Sequence, residues 1–447
     1  MPEPIISVSG LRGIVGESLT PEVATRYVTA LAAELPPGSV LVSRDGRASG
    51  PALSTAIVST LTALGRNVID ADVAATPTTG VLVRQSQSAG GVQISASHNP
   101  AEYNGLKLFS AEGRVIPAAA GQRVLDRYRN PIPSSNTSGN AGQVERLADT
   151  VSDHWLLVSH TVHVDRIRQR RFKVLLDANH GAGSLLGKRL LEELGCDVTI
   201  LGGVPDGLFE HTPEPTAENL AGVLAQVSAV GADIGFCQDP DADRLAIIDE
   251  NARYLGEEYT LALCADHELR RRSGPVVTNC STSRMTEDLA RKYGVPFYRS
   301  AVGEANVVDV MIARGAVLGG EGNGGIIDPR VGWVRDSFAG MALVLDAMAA
   351  RQATVSQLAD ELPRYEIVKT KISVDPAKVS DALSALKRHF SDAQADTLDG
   401  LRLDWPGKWL LVRASNTEPV IRAVAEAPTA IEAQVLCSEA AKVMASL

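Results

Sequence analysis

Short apolar runs alternate with amphipathic segments along most of the chain. Residues 40–43 form an apolar run that predicts a strand. Leu53, Ile57 and Leu61 then recur at helical spacing, and Gly65 marks the end of that predicted helix. Residues 68–70 and 91–95 predict further strands. This alternation favours an α/β domain with a parallel or mixed sheet.

The same rhythm continues through two more units and then changes. The predicted strands of these units are residues 173–177, 233–236, 276–278 and 316–319, and the predicted helices are residues 182–194 and 282–293. Strands are then predicted at residues 367–374, 410–413 and 420–426, with helices at residues 376–389 and 430–446. The last part of the chain is therefore expected to be a smaller α+β domain.

The overall composition limits what such a chain can do. Its 447 residues are too many for one core and suggest three or four domains. The formal net charge of -10 speaks against a general nucleic-acid-binding protein, which normally presents a basic surface. The five cysteines include no C-x-x-C pair, which favours reduced thiols over disulfides or a zinc site.

The sequence shows no pattern typical of a targeting or membrane segment. The first residues lack the basic start and the long apolar run of a signal peptide. The most apolar predicted helix, residues 338–350, is interrupted by Asp346 and is too short to span a bilayer. We therefore expect a cytoplasmic protein that binds neither membrane nor nucleic acid.

The first candidate site follows the strand predicted at residues 91–95. The sequence S-A-S-H-N-P at residues 95–100 would place Ser97 as an exposed nucleophile on a turn held by a rigid strand. It lacks the G-x-S-x-G pattern of the serine hydrolases. Lys107 on the following segment could act as a general acid/base or as a charge clamp. A polar turn and a solvated surface lysine also account for these residues taken alone.

The second candidate site is D-P-D-A-D-R at residues 239–244, between two apolar strands. Its three aspartates alternate along the loop and can converge on one hard cation. An EF-hand is the competing interpretation, because Glu250 stands at the twelfth position of such a loop. The sixth position needs glycine and holds Arg244, so the EF-hand is rejected. Three carboxylates with open coordination positions suit Mg²⁺, which leaves room for phosphate oxygens.

A third loop, G-G-E-G-N-G-G at residues 319–325, allows close approach of a ligand to the backbone. Glu321 and Asn323 could point the same way and offer acceptors and donors to sugar hydroxyls. The pattern also suits a plain turn. A dinucleotide-binding loop is disfavoured, because no suitable helix pattern starts directly after it.

Two arginine-containing loops could bind phosphate. Residues 413–419 read R-A-S-N-T-E-P, and these donor groups can surround a phosphate dianion or form a hairpin turn. Arg12, flanked by glycines in an N-terminal loop, either belongs to a turn or is aimed at phosphate.

With these five motifs in this order, the sequence closely resembles the α-D-phosphohexomutase family, which includes phosphoglucomutases, phosphomannomutases and phosphoglucosamine mutases. The resemblance covers residues 9–426. It implies a heart-shaped arrangement of three related α/β domains and a C-terminal α+β domain, which we place at residues 1–145, 146–250, 251–366 and 367–447. It also implies an isomerase, an intramolecular phosphotransferase that interconverts hexose 6-phosphate and hexose 1-phosphate through a phosphoserine enzyme and a hexose 1,6-bisphosphate.

The resemblance assigns roles to matching residues. Ser97 would carry the phosphoryl group, and the other residues at the reacting centre would be His98, Lys107, Arg12 and Arg244. The implied ligands of Mg²⁺ are Asp239, Asp241, Asp243 and the phosphoserine oxygen of Ser97. The residues implied to bind substrate are Glu321 and Asn323 for the sugar and Arg413, Ser415, Asn416, Thr417 and Arg422 for the phosphate that is not transferred.

Substrate choice and assembly are less constrained by the sequence. Many phosphoglucomutases and phosphomannomutases carry serine where this chain has Asn323, and the form V-G-E-A-N-V-V at residues 302–308 looks more like archaeal-type phosphoglucosamine mutases. We therefore lean towards glucosamine phosphate, with mannose or glucose phosphate as the alternative. The competing functions are a sugar-phosphate phosphatase and a non-catalytic sugar-phosphate-binding protein. A monomer or a homodimer is expected.

Overall fold

The computed structural model describes residues 3–131, 140–372, 378–414 and 420–446. The strands of these residues are β1 Ile5–Ser7, β2 Gly10–Ile14, β3 Val40–Arg44, β4 Val68–Val73, β5 Gly90–Ile94, β6 Tyr103–Ser110, β7 Val144–Arg146, β8 Lys173–Asp177, β9 Asp197–Leu201, β10 Ile234–Gln238, β11 Leu245–Asp249, β12 Val276–Asn279, β13 Phe297–Ser300, β14 Leu318–Glu321, β15 Gly325–Ile327, β16 Glu366–Ile372, β17 Gln394–Asp396, β18 Leu401–Trp405, β19 Lys408–Ala414 and β20 Ile421–Ala427.

The helices connect these strands and cover the sheets. They are α1 Pro21–Glu34, α2 Gly50–Ala63, α3 Thr76–Gln85, α4 Ala118–Arg129, α5 Ser152–Ser159, α6 Val164–Arg170, α7 Gly183–Glu193, α8 Ala221–Val230, α9 Glu257–Leu269, α10 Met285–Lys292, α11 Glu304–Arg314, α12 Ser337–Arg351, α13 Val355–Asp360, α14 Val379–His389 and α15 Ala430–Ala445. Each of these helices is too short or too polar to traverse a lipid bilayer.

The first three sheets contain the same four-strand unit. In each unit two parallel strands are joined by a helix, a third strand lies parallel beside the first, and a fourth returns antiparallel beside the third. The spatial orders are β6-β5-β3-β4, β11-β10-β8-β9 and β15-β14-β12-β13. The first sheet is extended to seven strands by β1, β2 and β7. The predicted fold class, with three related α/β domains, is thus confirmed.

Three hairpin loops occupy the same place in these units, between the third and the fourth strand. We name them by order: the first loop is residues 95–102, the second loop is residues 239–244, and the third loop is residues 322–324 together with Glu321, the last residue of β14. Each follows the carboxyl end of a parallel strand, where ligand sites of α/β sheets usually lie. The three central motifs of the sequence therefore lie at equivalent positions.

The C-terminal sheet is antiparallel throughout, in the order β16-β20-β19-β18-β17, and packs against the third domain. Glu426 accepts hydrogen bonds from Trp409 Nε1 at 2.7 Å and from the backbone N–H of Arg284 at 3.0 Å. The backbone N–H of Val302 donates to Asp399 Oδ2 at 2.9 Å. The α+β expectation for this region is confirmed; the exact boundaries after residues 145, 250 and 366 stay a prediction.

Helix α12, the most apolar segment of the sequence, lies between the second and third domains. Phe338 on α12 belongs to one large apolar cluster with Leu190 of α7 and Leu261 of α9. The polar interruption at Asp346 is explained by its partners: its carboxylate accepts from Arg166 at 2.6 Å and from His267 at 2.9 Å. A buried carboxylate needs such donors, so Asp346 connects α12 to α6 and α9.

Two predicted elements begin later than expected. The helix predicted at residues 282–293 starts at Met285, because Asn279 Oδ1 accepts from the backbone of Ser281 and from the hydroxyl of Thr282, which fixes a turn there. The strand predicted at residues 316–319 is Leu318–Glu321, because α11 ends at Gly315 with a left-handed φ of 60°.

Candidate active site

The first and second loops meet at a direct contact between two predicted residues. Ser97 Oγ donates a hydrogen bond of 2.6 Å to Asp239 Oδ2, although 142 positions separate them in sequence. Lys107, on β6, places its Nζ 2.5 Å from Asp241 Oδ2 and 2.7 Å from Asp243 Oδ2. The predicted nucleophile, lysine and aspartates therefore form one cluster.

The first loop is held in an uncommon conformation. Ser97 is 1% exposed, so the exposed position predicted for it is wrong. Its φ of 52° is a left-handed value that costs energy for a residue other than glycine. Arg47 offsets this cost from beneath the loop. Its guanidinium donates to the carbonyl oxygens of Ser97 at 2.7 Å, Asn99 at 2.6 Å, Pro100 at 2.6 Å and Tyr103 at 2.9 Å. Asp45 in turn accepts from Arg47 Nε at 3.1 Å and from the Ser95 hydroxyl at 2.6 Å.

The second loop gathers negative charge away from solvent. Asp239, Asp241 and Asp243 are fully buried, and one carboxylate oxygen of each lies within 4.8 Å of the others. Asp241 Oδ1 and Asp243 Oδ1 are buried without a hydrogen-bond partner among the described residues. Burial beside the other two aspartates raises the pKa of Asp239 well above its usual range. Carboxylate oxygens that lack donors are the groups that a divalent cation would bind.

Lys107 and Thr76 bring domain I onto these carboxylates. Burial alone would lower the pKa of Lys107, but the carboxylates of Asp241 and Asp243 outweigh burial and raise it. The Thr76 hydroxyl, at the start of α3, donates to Asp241 Oδ2 at 2.6 Å, and its backbone N–H donates to the Asp241 carbonyl at 2.9 Å. Donor groups of the first domain thus hold the second loop, which carries the three aspartates.

The other predicted residues of the reacting centre lie around Ser97. His98 Nδ1 is 3.4 Å from Ser97 Oγ; burial, together with the positive charges of Arg244 and Arg12, lowers the pKa of His98 to about 2, so its ring is neutral. Arg12 Nη1 donates to Asn99 Oδ1 at 3.2 Å. Arg244 Nε is buried without a hydrogen-bond partner among the described residues, and the nearest carboxylates lie 3.9 to 4.0 Å from the guanidinium. The guanidinium groups of Arg12 and Arg244 therefore border Ser97, and no carboxylate among the described residues forms a hydrogen bond with either of them.

In the third loop the predicted carboxylate is already well supplied with donors. Glu321 Oε1 accepts from Asn279 Nδ2 at 2.7 Å and from the backbone N–H of Gly303 at 3.1 Å. Glu321 Oε2 accepts from Arg335 Nη1 at 3.0 Å and lies 3.5 Å from Asn323 Nδ2. Asn323 Oδ1 is buried without a partner among the described residues. The two predicted sugar-binding side chains therefore lie together, and Glu321 is rigidly held.

The predicted phosphate loop is described at its two ends. Arg413 on β19 and Arg422 on β20 lie directly opposite each other in the antiparallel sheet, so that their side chains share one face. Arg413 Nε is 3.1 Å from Asp399 Oδ2. Ser415, Asn416 and Thr417 lie outside the described residues.

Sequence reasoning missed several residues that hold this site. They are Asp45, Arg47, Thr76, Glu304 and Arg335. A charged turn after β3, R-D-G-R at residues 44–47, was a usable signal for Arg47, since the carboxyl ends of neighbouring parallel strands lie at one edge of the sheet. Arg335 had no comparable signal, because its carboxylate partners lie 14, 31 and 92 positions away.

Comparison with known families places this fold and site in one class. Four family models match in succession: phosphoglucomutase/phosphomannomutase alpha/beta/alpha domain I at residues 5–132, domain II at residues 154–254, domain III at residues 257–365 and the C-terminal domain at residues 371–443. The chain belongs to the phosphoglucomutase/phosphomannomutase family. The predictions of this family, of the four-domain fold and of an enzyme of the phosphohexomutase type, an isomerase, are confirmed.

Individual relatives cover nearly the whole chain. The phosphoglucomutase/phosphomannomutase of Thermococcus kodakarensis is 37% identical over 431 residues, which cover 94% of this chain and 93% of that protein. The phosphoglucosamine/phosphogalactosamine mutase of Sulfurisphaera tokodaii is 31% identical, with 98% and 99% covered. The crystal structure of a phosphoglucomutase/phosphomannomutase family protein from Burkholderia thailandensis superposes with a TM-score of 0.83 at 26% identity, covering 99% of this chain and 97% of that one.

Proposed function

We propose that this protein interconverts hexose 6-phosphate and hexose 1-phosphate, with Ser97 as the phosphoryl carrier and glucosamine phosphate as the preferred substrate. The contact between Ser97 Oγ and Asp239 Oδ2, 2.6 Å long, carries the proposal. It places the nucleophile against the carboxylate cluster to which Lys107 is also bound. Nucleophile, proton donor and charge-stabilising groups therefore share one buried site.

Transfer needs a proton donor and neutralising charge at the reacting oxygens. In the forward step the bond between phosphorus and Ser97 Oγ breaks as a bond to a sugar hydroxyl forms, which leaves a hexose 1,6-bisphosphate. Lys107, kept charged by its two carboxylates, is placed to protonate Ser97 Oγ as it leaves, and the proton that the sugar hydroxyl loses restores the ammonium. The reverse step runs the same two proton transfers backwards. Arg12 and Arg244 supply positive charge for the transferring group, and neutral His98 lies beside Ser97.

The second loop fits a divalent cation, which we propose to be Mg²⁺. Asp239, Asp241 and Asp243 would hold it together with the phosphoserine oxygen of Ser97. The fit rests on Asp241 Oδ1 and Asp243 Oδ1, which are buried without a partner among the described residues. It also rests on the oxygen-only donor set that Mg²⁺ prefers. When bound, the ion would polarise the phosphoryl group as a Lewis acid.

Substrate recognition is proposed for the third loop and for the C-terminal domain. Glu321 is oriented by its donors, and the buried acceptor Asn323 Oδ1 has no partner among the described residues, which suits sugar hydroxyls. Arg413 and Arg422 lie directly opposite each other on neighbouring strands, so that two guanidinium groups are offered on one face of the sheet. These arginines, with Ser415, Asn416 and Thr417, would bind the phosphate that is not reacting. A cytoplasmic monomer or homodimer accords with this function.

The test is a panel of glucosamine, glucose, mannose and N-acetylglucosamine phosphates compared by kcat/KM, with intact mass measured after incubation with a hexose 1,6-bisphosphate. We expect one added phosphate on the wild type and none on Ser97→Ala. Release of inorganic phosphate in place of sugar isomerisation would identify a phosphatase, and binding without turnover would identify a binding protein. A clear preference for glucose or mannose phosphate would overturn the glucosamine assignment alone.

A further inference from the structure

Arg335 joins the second and third loops through one guanidinium. Nη2 donates to Asp243 Oδ2 at 2.6 Å, and Nη1 donates to Glu321 Oε2 at 3.0 Å. Nε lies 3.3 Å from Glu304 Oε2, and the backbone N–H of Arg335 donates to Glu304 Oε1 at 2.9 Å. Arg335 is 7% exposed, so these carboxylates rather than water satisfy its donors.

The position of the bond on Asp243 matters for metal binding. Arg335 and Lys107 both donate to Oδ2, whereas Oδ1 lacks a partner among the described residues. A donor that holds one carboxylate oxygen fixes the direction in which the other oxygen points. The planar guanidinium can do this for two carboxylates at once, because its donors form a rigid fork, which a lysine ammonium lacks.

We propose that Arg335 is a positioning residue that orients Asp243 for the divalent cation and Glu321 for the sugar, so that both subsites depend on one side chain. Glu304 holds Arg335 in place by accepting from both its backbone and its side chain. The proposal rests on the proposed function for the identity of the two subsites. It predicts that replacing the guanidinium of Arg335 weakens both the metal subsite and the sugar subsite, although two loops of different domains form them.

Two opposite effects on the metal are possible, and their sign is measurable. Removing a positive charge near a bound cation would strengthen cation binding through reduced repulsion. Removing a hydrogen bond that orients a ligand typically weakens metal binding by about 10- to 100-fold. We expect the weakening of metal binding to dominate. Arg335 binds Asp243 Oδ2, and Asp243 Oδ1 is the oxygen that has no partner among the described residues.

The experiment measures Mn²⁺ affinity by electron paramagnetic resonance, without turnover, for wild type, Arg335→Met, Arg335→Lys and Arg330→Met. Arg330 is the matched control, since it also binds buried carboxylates, with Nη2 at 2.8 Å from Glu268 Oε2 and Nε at 3.0 Å from Asp328 Oδ1. Mn²⁺ affinity should fall about 10- to 100-fold in Arg335→Met and clearly in Arg335→Lys, which keeps the charge but not the fork. It should be unchanged in Arg330→Met.

Calorimetry with glucosamine 6-phosphate and glucose 6-phosphate, in the absence of metal, tests the second subsite. Both Arg335 variants should bind these ligands more weakly than wild type does. Equal or tighter Mn²⁺ binding in Arg335→Met would overturn the orienting role, and so would wild-type Mn²⁺ affinity in Arg335→Lys. Unchanged sugar-phosphate affinity would overturn the link between the loops. If Arg335→Met does not fold, Arg335→Lys decides alone. A wild type that binds Mn²⁺ but isomerises no hexose phosphate would refute the proposed function instead.

Discussion

The second and third loops occupy the same place in two copies of one folding unit, yet they differ in how their carboxylates are satisfied. In the second loop, Asp241 and Asp243 each keep a buried oxygen without a donor among the described residues. In the third loop, both oxygens of Glu321 have donors. Topology therefore brings both loops to the site, whereas the neighbouring donors decide what each one does.

The difference has an energetic consequence. A buried carboxylate oxygen without a donor is costly, so the second loop gains most from a bound cation. A carboxylate that protein donors already hold gains less from a ligand but presents its remaining lone pairs in a fixed direction. Substitutions in the second loop should therefore cost more activity than substitutions in the third.

The largest effect is expected for Asp241→Asn. Loss of this charge should abolish tight cation binding and lower kcat/KM by about a thousandfold, the equivalent of about 4 kcal/mol of transition-state stabilisation. Wild type treated with a chelator should lose activity similarly and regain it on addition of Mg²⁺, whereas the variant should not recover. Asp309→Asn, which alters an ion pair between the exposed Asp309 and the buried Arg114, is the matched control. Full activity in chelator-treated wild type would refute the metal role.

Replacement of Lys107 by Met is expected to have the next largest effect. The variant removes the ammonium that lies against Asp241 and Asp243 and with it the proposed proton donor. Activity should fall by roughly 10²- to 10³-fold, within the usual contribution of about 10²- to 10⁴-fold from general acid–base catalysis. Lys107→Arg keeps the charge but donates a proton poorly, so it should remain well below wild type. If Lys107→Arg retains full kcat, Lys107 acts as a charge clamp only.

The sequence was sufficient for the groups that do chemistry and insufficient for those that hold them. The spacing of Asp239, Asp241 and Asp243 and the strand-end position of Ser97 are local patterns, and the structure brings these residues together. Arg335 acts through partners that are distant along the chain, so no local pattern marks it. The charged turn at residues 44–47 marks the position of Arg47 but not its partners in the first loop. The predicted start of α10 at residue 282 is wrong for a related reason. Hydrogen bonds to the side chain of Asn279 override helix propensity there.

For the third loop, Glu321→Gln is expected to lower activity less than Asp241→Asn or Lys107→Met does. The amide keeps the shape but loses the negative charge that its donors and the sugar hydroxyls would share. A hydrogen bond to a charged group contributes about 1.5–3 kcal/mol, so kcat/KM should fall by roughly 10- to 100-fold, mainly through KM. Steady-state kinetics on the wild type and the variant make the comparison. A loss as large as that of Asp241→Asn would remove the distinction between the two loops.

The loops also differ in the charge that surrounds them. Lys107 borders the second loop and Arg335 contacts both loops, whereas a carboxyl group, Glu258, lies against Gly322 of the third. Glu258 Oε2 accepts from the backbone N–H of Ser283 at 3.0 Å. Burial, together with Glu426 and Glu257, raises the pKa of Glu258 to about 8 although Lys369 and this N–H oppose it. The third loop should therefore respond to pH through a neighbouring carboxyl group that changes charge near pH 8.

The last expected effect is on stability rather than on activity, in Glu258→Gln. Below pH 4.5, the ordinary value for this group, the carboxyl is protonated in both states and folding is not penalised. As pH rises from there towards 8, the unfolded chain releases a proton that the folded protein keeps, so the free energy of unfolding falls by at most about 1.4 kcal/mol per pH unit. The wild-type Tm should therefore drop more between pH 5 and pH 8 than that of the variant, as thermal unfolding by circular dichroism would show.

Asp149→Asn is the control. The hydroxyl of Ser152 and the backbone N–H of Val151 lower the pKa of Asp149, so its contribution to stability changes only at lower pH. The drop in Tm of this control between pH 5 and pH 8 should therefore match that of wild type. The same drop in Glu258→Gln as in wild type would mean that this carboxyl is ionised throughout, and the third loop would then be surrounded by fixed charge like the second.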